Sequence, residues 1–259
     1  MDTSVATSWQ PGYVAVSYAM AFIGALSTLS TAGRIRRRDG SVSVGNTIAG
    51  GIGLGGISVW SMHFVGMLAL QMDVAVSYAM VPTLISLAAA IAGSALALAF
   101  VAYAPHRPAR VILAGVVLGA GVMVVHYLGM YGMRIPGYIR WDWRIVALSG
   151  VIGVTAASAA LWLAFHVRGF AARAATGLAM AAAVCTFHYT GMLAASYVCT
   201  TPDRLAQPGG FAYVSAAALP NTVVLCAMLM ALLITLYLLY QAATQGPEHV
   251  ELEASSFSG

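Results

Sequence analysis

The sequence predicts an all-α polytopic membrane protein: seven transmembrane helices, in which three repeated two-helix units form a pseudo-threefold bundle. Three observations carry that prediction. First, 60% of the 259 residues are hydrophobic and only 8% charged, with a mean hydropathy of +0.84. An ordinary soluble domain has about 25% charged residues, and so few charges cannot cover a globule in water. Second, seven apolar runs reach the roughly 20 residues that cross a bilayer. Third, one motif recurs at almost even spacing, as Met62-His63-Phe64-Val65-Gly66-Met67, Val125-His126-Tyr127-Leu128-Gly129-Met130 and Phe187-His188-Tyr189-Thr190-Gly191-Met192. Its histidines stand 63 and then 62 residues apart.

Taken in order, the spans are Tyr13–Gly33, Gly45–Leu70, Ser77–Ala104, Ala109–Met133, Trp143–Val167, Ala174–Val198 and Tyr213–Tyr240. The first follows uncharged or acidic residues and precedes Arg34, Arg36, Arg37 and Arg38, the reverse of a cleavable signal peptide. All twelve basic residues are arginines. Eight fall in the first, third and fifth links and four in the second, fourth and sixth, so the odd links are expected on the cytoplasmic side. That places the N-terminus outside, the C-terminus inside, and the chain in the bacterial inner membrane. Residues 1–240 read as one transmembrane domain, and 241–259, without apolar periodicity, as a disordered cytoplasmic tail.

Each repeat of about 62 residues holds a motif-bearing even-numbered helix, an outer link, an odd-numbered helix and an inner link. Three such hairpins stacked about an axis make the expected bundle. Gly51/Gly55 and Gly115/Gly119 are small-xxx-small pairs that permit close helix contact. Net charge is only +4 and the arginines sit in short loops, which excludes nucleic-acid binding. Cys185, Cys199 and Cys226 have no metal-site spacing and allow at most one disulfide. Cys199, in an outer loop, is the one expected to meet an oxidant.

On a helix, residues i, i+3 and i+4 share a face. His63, Gly66 and Met67 therefore project together, as do His126, Gly129 and Met130, and His188, Gly191 and Met192. Imidazole nitrogen and thioether sulfur suit copper, and thioether favours Cu(I). Glycine clears the same face for an ion, a small ligand or a neighbouring backbone. Six donors serve one or two ions. His126 lies eight residues before Arg134, about 12 Å inside the boundary at 1.5 Å per residue. The three motifs share that level in the outer halves of their helices.

A lone membrane histidine is more often a packing residue, and methionine in an apolar helix is ordinarily core filler. Three copies with one spacing at one depth point instead to a shared ligand site. Phe64, Tyr127 and Tyr189 line it. Met123 and Cys185, one turn deeper, are weaker candidates because Trp60 takes the corresponding position in the first copy. His106 and His166 lie near the opposite ends of their spans, and His249 in the tail. A copper transporter or store is the alternative function, but a transporter needs donors in both halves of the bilayer. A haem oxidoreductase is disfavoured because no catalytic acid or base stands in the bundle. The chain is therefore expected not to be an enzyme.

The motifs resemble those of the MHYT family, bacterial membrane sensor domains named for a Met-His-Tyr-Thr sequence on alternate helices. Phe187-His188-Tyr189-Thr190 keeps three of those letters, Met62-His63 two, and His126-Tyr127 two. The resemblance covers about Tyr13 to Tyr240. It implies a copper site near the outer face, with His63, His126, His188, Met67, Met130 and Met192 as ligands, sensing a diatomic gas such as O2, CO or NO. Members are often joined to cyclic-di-GMP domains. Here fewer than twenty residues follow Tyr240, so the expectation is either a cytoplasmic signalling partner or a piece of a longer protein. The remaining expected partners are the lipid bilayer and a second copy of the chain.

Overall fold

The computed structural model describes residues 3–37 and 39–244. Among the described residues, seven helices are long and apolar enough to cross a membrane: α1 (Pro11–Ala32), α2 (Val44–Leu68), α3 (Met80–Ala102), α4 (Pro108–Gly132), α5 (Trp143–His166), α6 (Phe170–Leu193) and α7 (Leu219–Thr244). Proline opens α1 and α4, where its missing N–H costs nothing. Ser43 caps α2, and Asp142 caps α5 by accepting from the Arg144 and Ile145 amides. Leu96, Val117, Val151 and Leu225 are among the large apolar side chains exposed on the outer surface, as lipid-facing residues must be.

Helices α1 to α6 close a ring in chain order, with α6 returning to α1, and α7 lies outside it against α2. This corrects the expected third hairpin. The helix that packs along α6 on that side is α1, not α7. Helix α2 is the exception among the spans, with 89% of its core window buried. Its glycines explain why. A Cβ at Gly55 would strike the Ala90 carbonyl of α3, one at Gly53 would meet Thr28 and Gly24 of α1, and one at Gly56 would meet the Met230 sulfur of α7. Three helices can approach α2 at once because it offers bare backbone on three sides. Within it, Ile52–Ser61 is π-helical, a form concentrated at functional sites, and Ser61 Oγ donates to the Gly56 carbonyl five residues back. The α4–α5 contact has the same basis at Gly115 and Gly119, which face Ser158 and Val154.

All the strands lie at one end of the bundle, where the motifs also lie. They are β1 (Thr3–Ser4), β2 (Thr7–Trp9), β3 (Leu70–Met72), β4 (Ser77–Ala79), β5 (Met133–Arg134), β6 (Gly137–Trp141), β7 (Ala195–Cys199) and β8 (Tyr213–Ser215). They pair as three small antiparallel sheets, β1-β7-β6, β2-β3 and β5-β4-β8. The spans read from apolar length therefore overran: Ser77–Ala79, Ala195–Val198 and Tyr213–Ser215 are strand, since apolar composition alone does not separate a short buried strand from a helix end. Gln241–Thr244 continue α7 rather than beginning a tail, and the rest of the tail, with His249, lies outside the described residues. The three cysteines are free, and Cys199 is buried in β7 rather than open to an oxidant.

Asp73 and Arg204 tie this cap together. The guanidinium meets both carboxylate oxygens at 2.8 Å and also donates to Thr3 and Ser4, while the Ala6 amide donates to Asp73. The hydrogen bond from Arg204 holds the Asp73 carboxyl below its ordinary value. A carboxyl lowered in the folded state contributes stability above its unfolded value of about 3.9 and loses it as pH falls through the lower folded value. Asp73→Asn should lower the melting temperature in detergent by no more than a few degrees at pH 7. The gap should narrow as pH falls below about 3.9, as thermal scans across pH will read.

Candidate metal centre

His63, His126 and His188 stand five, six and five residues before the ends of α2, α4 and α6. At 1.5 Å per residue they share one level, about 7.5–9 Å below the sheet cap. All three are buried, at 2%, 2% and 0% exposure. Their ring centroids form a nearly equilateral triangle with sides of 4.9, 5.1 and 5.1 Å, each pair edge-on. His63 Nδ1 lies 3.1 Å from His126 Nδ1 and 3.2 Å from His188 Nδ1. Three residues far apart in sequence thus aim one nitrogen each at a common point.

The other nitrogen of each ring explains the motif glycines. A Cβ at Gly129 would overlap His63 Nε2, one at Gly191 would overlap His126 Nε2, and one at Gly66 would overlap His188 Nε2. The room left by each glycine is filled by the imidazole of the preceding motif, and the contacts run in a cycle. Glycine was expected to leave space for an ion, a ligand or a neighbouring backbone; its occupant is a neighbouring side chain.

Protons alone do not satisfy this cluster. A neutral imidazole has one N–H and one lone pair. If His63 donates from Nδ1, its neighbours carry their protons on Nε2, and that of His126 has no hydrogen-bond partner. If His63 accepts, a single lone pair faces two N–H groups. A cation at the centre takes all three Nδ1 lone pairs together. A metal–nitrogen length of about 2.0 Å sets trigonal nitrogens about 3.5 Å apart, close to the spacing observed. The triad can therefore hold a metal ion, and its three ligand atoms lie within 4.8 Å of one another.

Met67, Met130 and Met192 are buried one turn nearer the cap, in the core cluster that contains Met133, Tyr78 and Tyr197. The small cavity at the triad is instead lined by Val59, Met62, Val125 and Phe187, so the residue before each histidine surrounds the rings. Met123 faces α5, where a Cβ on Gly150 would meet its sulfur, and Cys185 packs with Ala21 and Met62.

The aromatics after the histidines are anchored in a way the sequence reading missed. Ser149 Oγ on α5 donates to the Val146 carbonyl and meets Tyr127 Oη at 2.7 Å. Ser17 on α1 does the same with Val14 and with Tyr189, at 2.8 Å. Ser86 on α3 donates to Thr83, and its partner is Trp60 Nε1 at 3.1 Å. Phe64 has no hydroxyl, so Trp60, packed on its ring at 4.9 Å, supplies the donor in that copy. Trp141 and Trp9 pack edge-on against Tyr127 and Tyr189. Each motif helix is thus pinned to a neighbour through a buried serine.

Six apolar helices around a buried histidine triad, with a seventh packed outside them, define the class: a multi-pass membrane protein with a metal-competent centre. Two successive segments, residues 56–115 and 119–177, match MHYT, a bacterial signalling protein N-terminal repeat. The chain belongs to the MHYT family. His63 and His126 fall inside the matched segments, and His188 beyond them. The chain is 35% identical over 196 residues to the bifunctional diguanylate cyclase/cyclic di-GMP phosphodiesterase MucR of Pseudomonas aeruginosa, covering 74% of this chain and 28% of that protein. It is 30% identical over 227 residues to an uncharacterized signaling protein of Caulobacter vibrioides, covering 86% and 28%. Over 159 residues it is 30% identical to the signaling protein YkoW of Bacillus subtilis, covering 58% and 20%. It thus spans less than a third of the length of these relatives. No solved structure matches the chain.

The interlock makes a sharp test at one helix. Gly129→Ala should displace His63, lowering metal affinity at least tenfold and costing about 1–3 kcal/mol of stability. Gly121→Ala on the same helix, where a Cβ meets nothing within 4 Å, should be neutral or stabilising by about 0.5–1 kcal/mol. Metal titration and thermal unfolding of the two variants check it.

Proposed function

We propose that this chain is a membrane sensor domain that binds copper at the His63–His126–His188 triad and responds to a diatomic gas. The convergence of three buried imidazoles, with the Nδ1 atoms of His126 and His188 at 3.1 and 3.2 Å from that of His63, carries this reading. Met67, Met130 and Met192, each one turn above its histidine and outside the triad's own cavity, would add soft donors that favour Cu(I) over zinc, which prefers nitrogen, thiolate or carboxylate. When bound, a cuprous ion supplies reversible affinity for O2, CO or NO. The protein's own residues hold the rings in place, exclude water and separate the site from lipid. The bundle is pseudo-threefold, with α1, α3 and α5, which carry Ser17, Ser86 and Ser149, alternating with the motif helices.

The arginine distribution supports an orientation with the triad in the half of the membrane away from the cytoplasm and α7 ending inside. The chain works without catalysis of its own and passes a change in helix packing to a cytoplasmic signalling partner. The likeness to a diguanylate cyclase/phosphodiesterase and to signaling proteins supports the signalling reading. Helix α2 is the natural carrier of that change, since it holds His63 and also packs against α7.

Copper analysis of chain purified after copper loading, beside the variant His63→Ala/His126→Ala/His188→Ala, tests the reading. One ion per chain should bind in the parent and less than a tenth of that in the variant. Equal copper in the two would sink it.

A further inference from the structure

A second, larger cavity lies in the bundle interior below the triad. It is bounded by α2, α3, α4, α5 and α6, through residues that include Leu54, Leu118, Ala157 and Val184, and offers about 30 Å³ to the centre of a water-sized sphere. One water requires about 10–15 Å³ by that measure, together with two to four polar partners. Here, among the described lining residues, only Ser94 has a polar side-chain atom. The space is roomy enough for a guest and too apolar to hold water well.

Its position ties it to the metal centre. Val59 and Phe187 line both this cavity and the small one that touches all three histidines. Phe187 forms the partition. Its ring packs edge-on to His126 at 5.3 Å, and on the other side a Cβ at Gly153 would meet it at 3.1 Å. Glycine at 153 therefore gives the partition its place, and Phe187 stands where the family motif has its leading methionine.

We infer that this interior cavity is a binding site for a small uncharged apolar molecule, of the size of a diatomic gas, held one side chain away from the histidine triad. Charged or strongly hydrogen-bonding ligands of similar size are excluded, because nothing in the lining replaces their hydration. Within the proposed function the cavity is the chamber from which the gas reaches the metal; the cavity itself is testable without metal.

Xenon is the probe, since it enters dry apolar cavities without needing polar partners. Crystals of the full metal-free chain under xenon pressure should show anomalous density among Leu54, Leu118 and Ala157. Ala157→Leu, which fills the cavity, should reduce occupancy at least tenfold, while Ala182→Leu on the lipid-facing side of α6 should leave it unchanged. Absence of xenon from the parent, ordered water in its place, or full occupancy in Ala157→Leu would each overturn the inference. Copper content of the same preparations is read separately, so a failure of the metal centre is not mistaken for a failure of the cavity.

Discussion

The arrangement depends on one interlock: the imidazole of each motif occupies the space left by the glycine of the next. A buried imidazole is expensive in a membrane, and three at one point more so. They are accommodated because Gly66, Gly129 and Gly191 let the motif helices close on the rings without collision. Histidine and glycine in the motif are thus two halves of one contact, made between helices rather than within one. The cyclic order of the contacts, from α2 to α4 to α6 and back, also fixes which helix follows which around the axis.

The alternate helices α1, α3 and α5 serve that interlock. Ser17, Ser86 and Ser149 each turn a hydroxyl back onto their own helix and offer the remaining capacity to an aromatic beside the triad. In two copies the aromatic is the motif tyrosine, and in the first it is Trp60. The chemistry needed is a buried donor for the serine, not a tyrosine as such. Helix α2 departs further, since it is buried on nearly every side, π-helical before His63, and in contact with the peripheral α7. One of the three motif-bearing helices is therefore built differently from the other two, and that one reaches the last span.

Much of this was legible in the sequence for physical reasons. Bilayer thickness imposes long apolar runs, so the seven spans stand out, and the repeated spacing of His63, His126 and His188 marks one level. The partner of each glycine was not legible, because a missing side chain shows room without showing what fills it. The role of α1 left a signal that was passed over. A serine stands 23 residues after His63 and after His126, at Ser86 and Ser149, but the corresponding place after His188 is Phe211. The missing serine is Ser17, on the helix that takes α7's expected position. The strands escaped because they are two to five residues long and sit at the ends of apolar runs. Close packing, not pattern, decides where such a run stops being helix.

The central claim is that three imidazoles share one ion. X-ray absorption at the copper edge of the copper-loaded chain reads this directly. The account predicts a single copper environment with three histidine nitrogens at about 2.0 Å, at one ion per chain. A shell with one imidazole per ion, or one made of oxygen alone while copper remains bound, would contradict it.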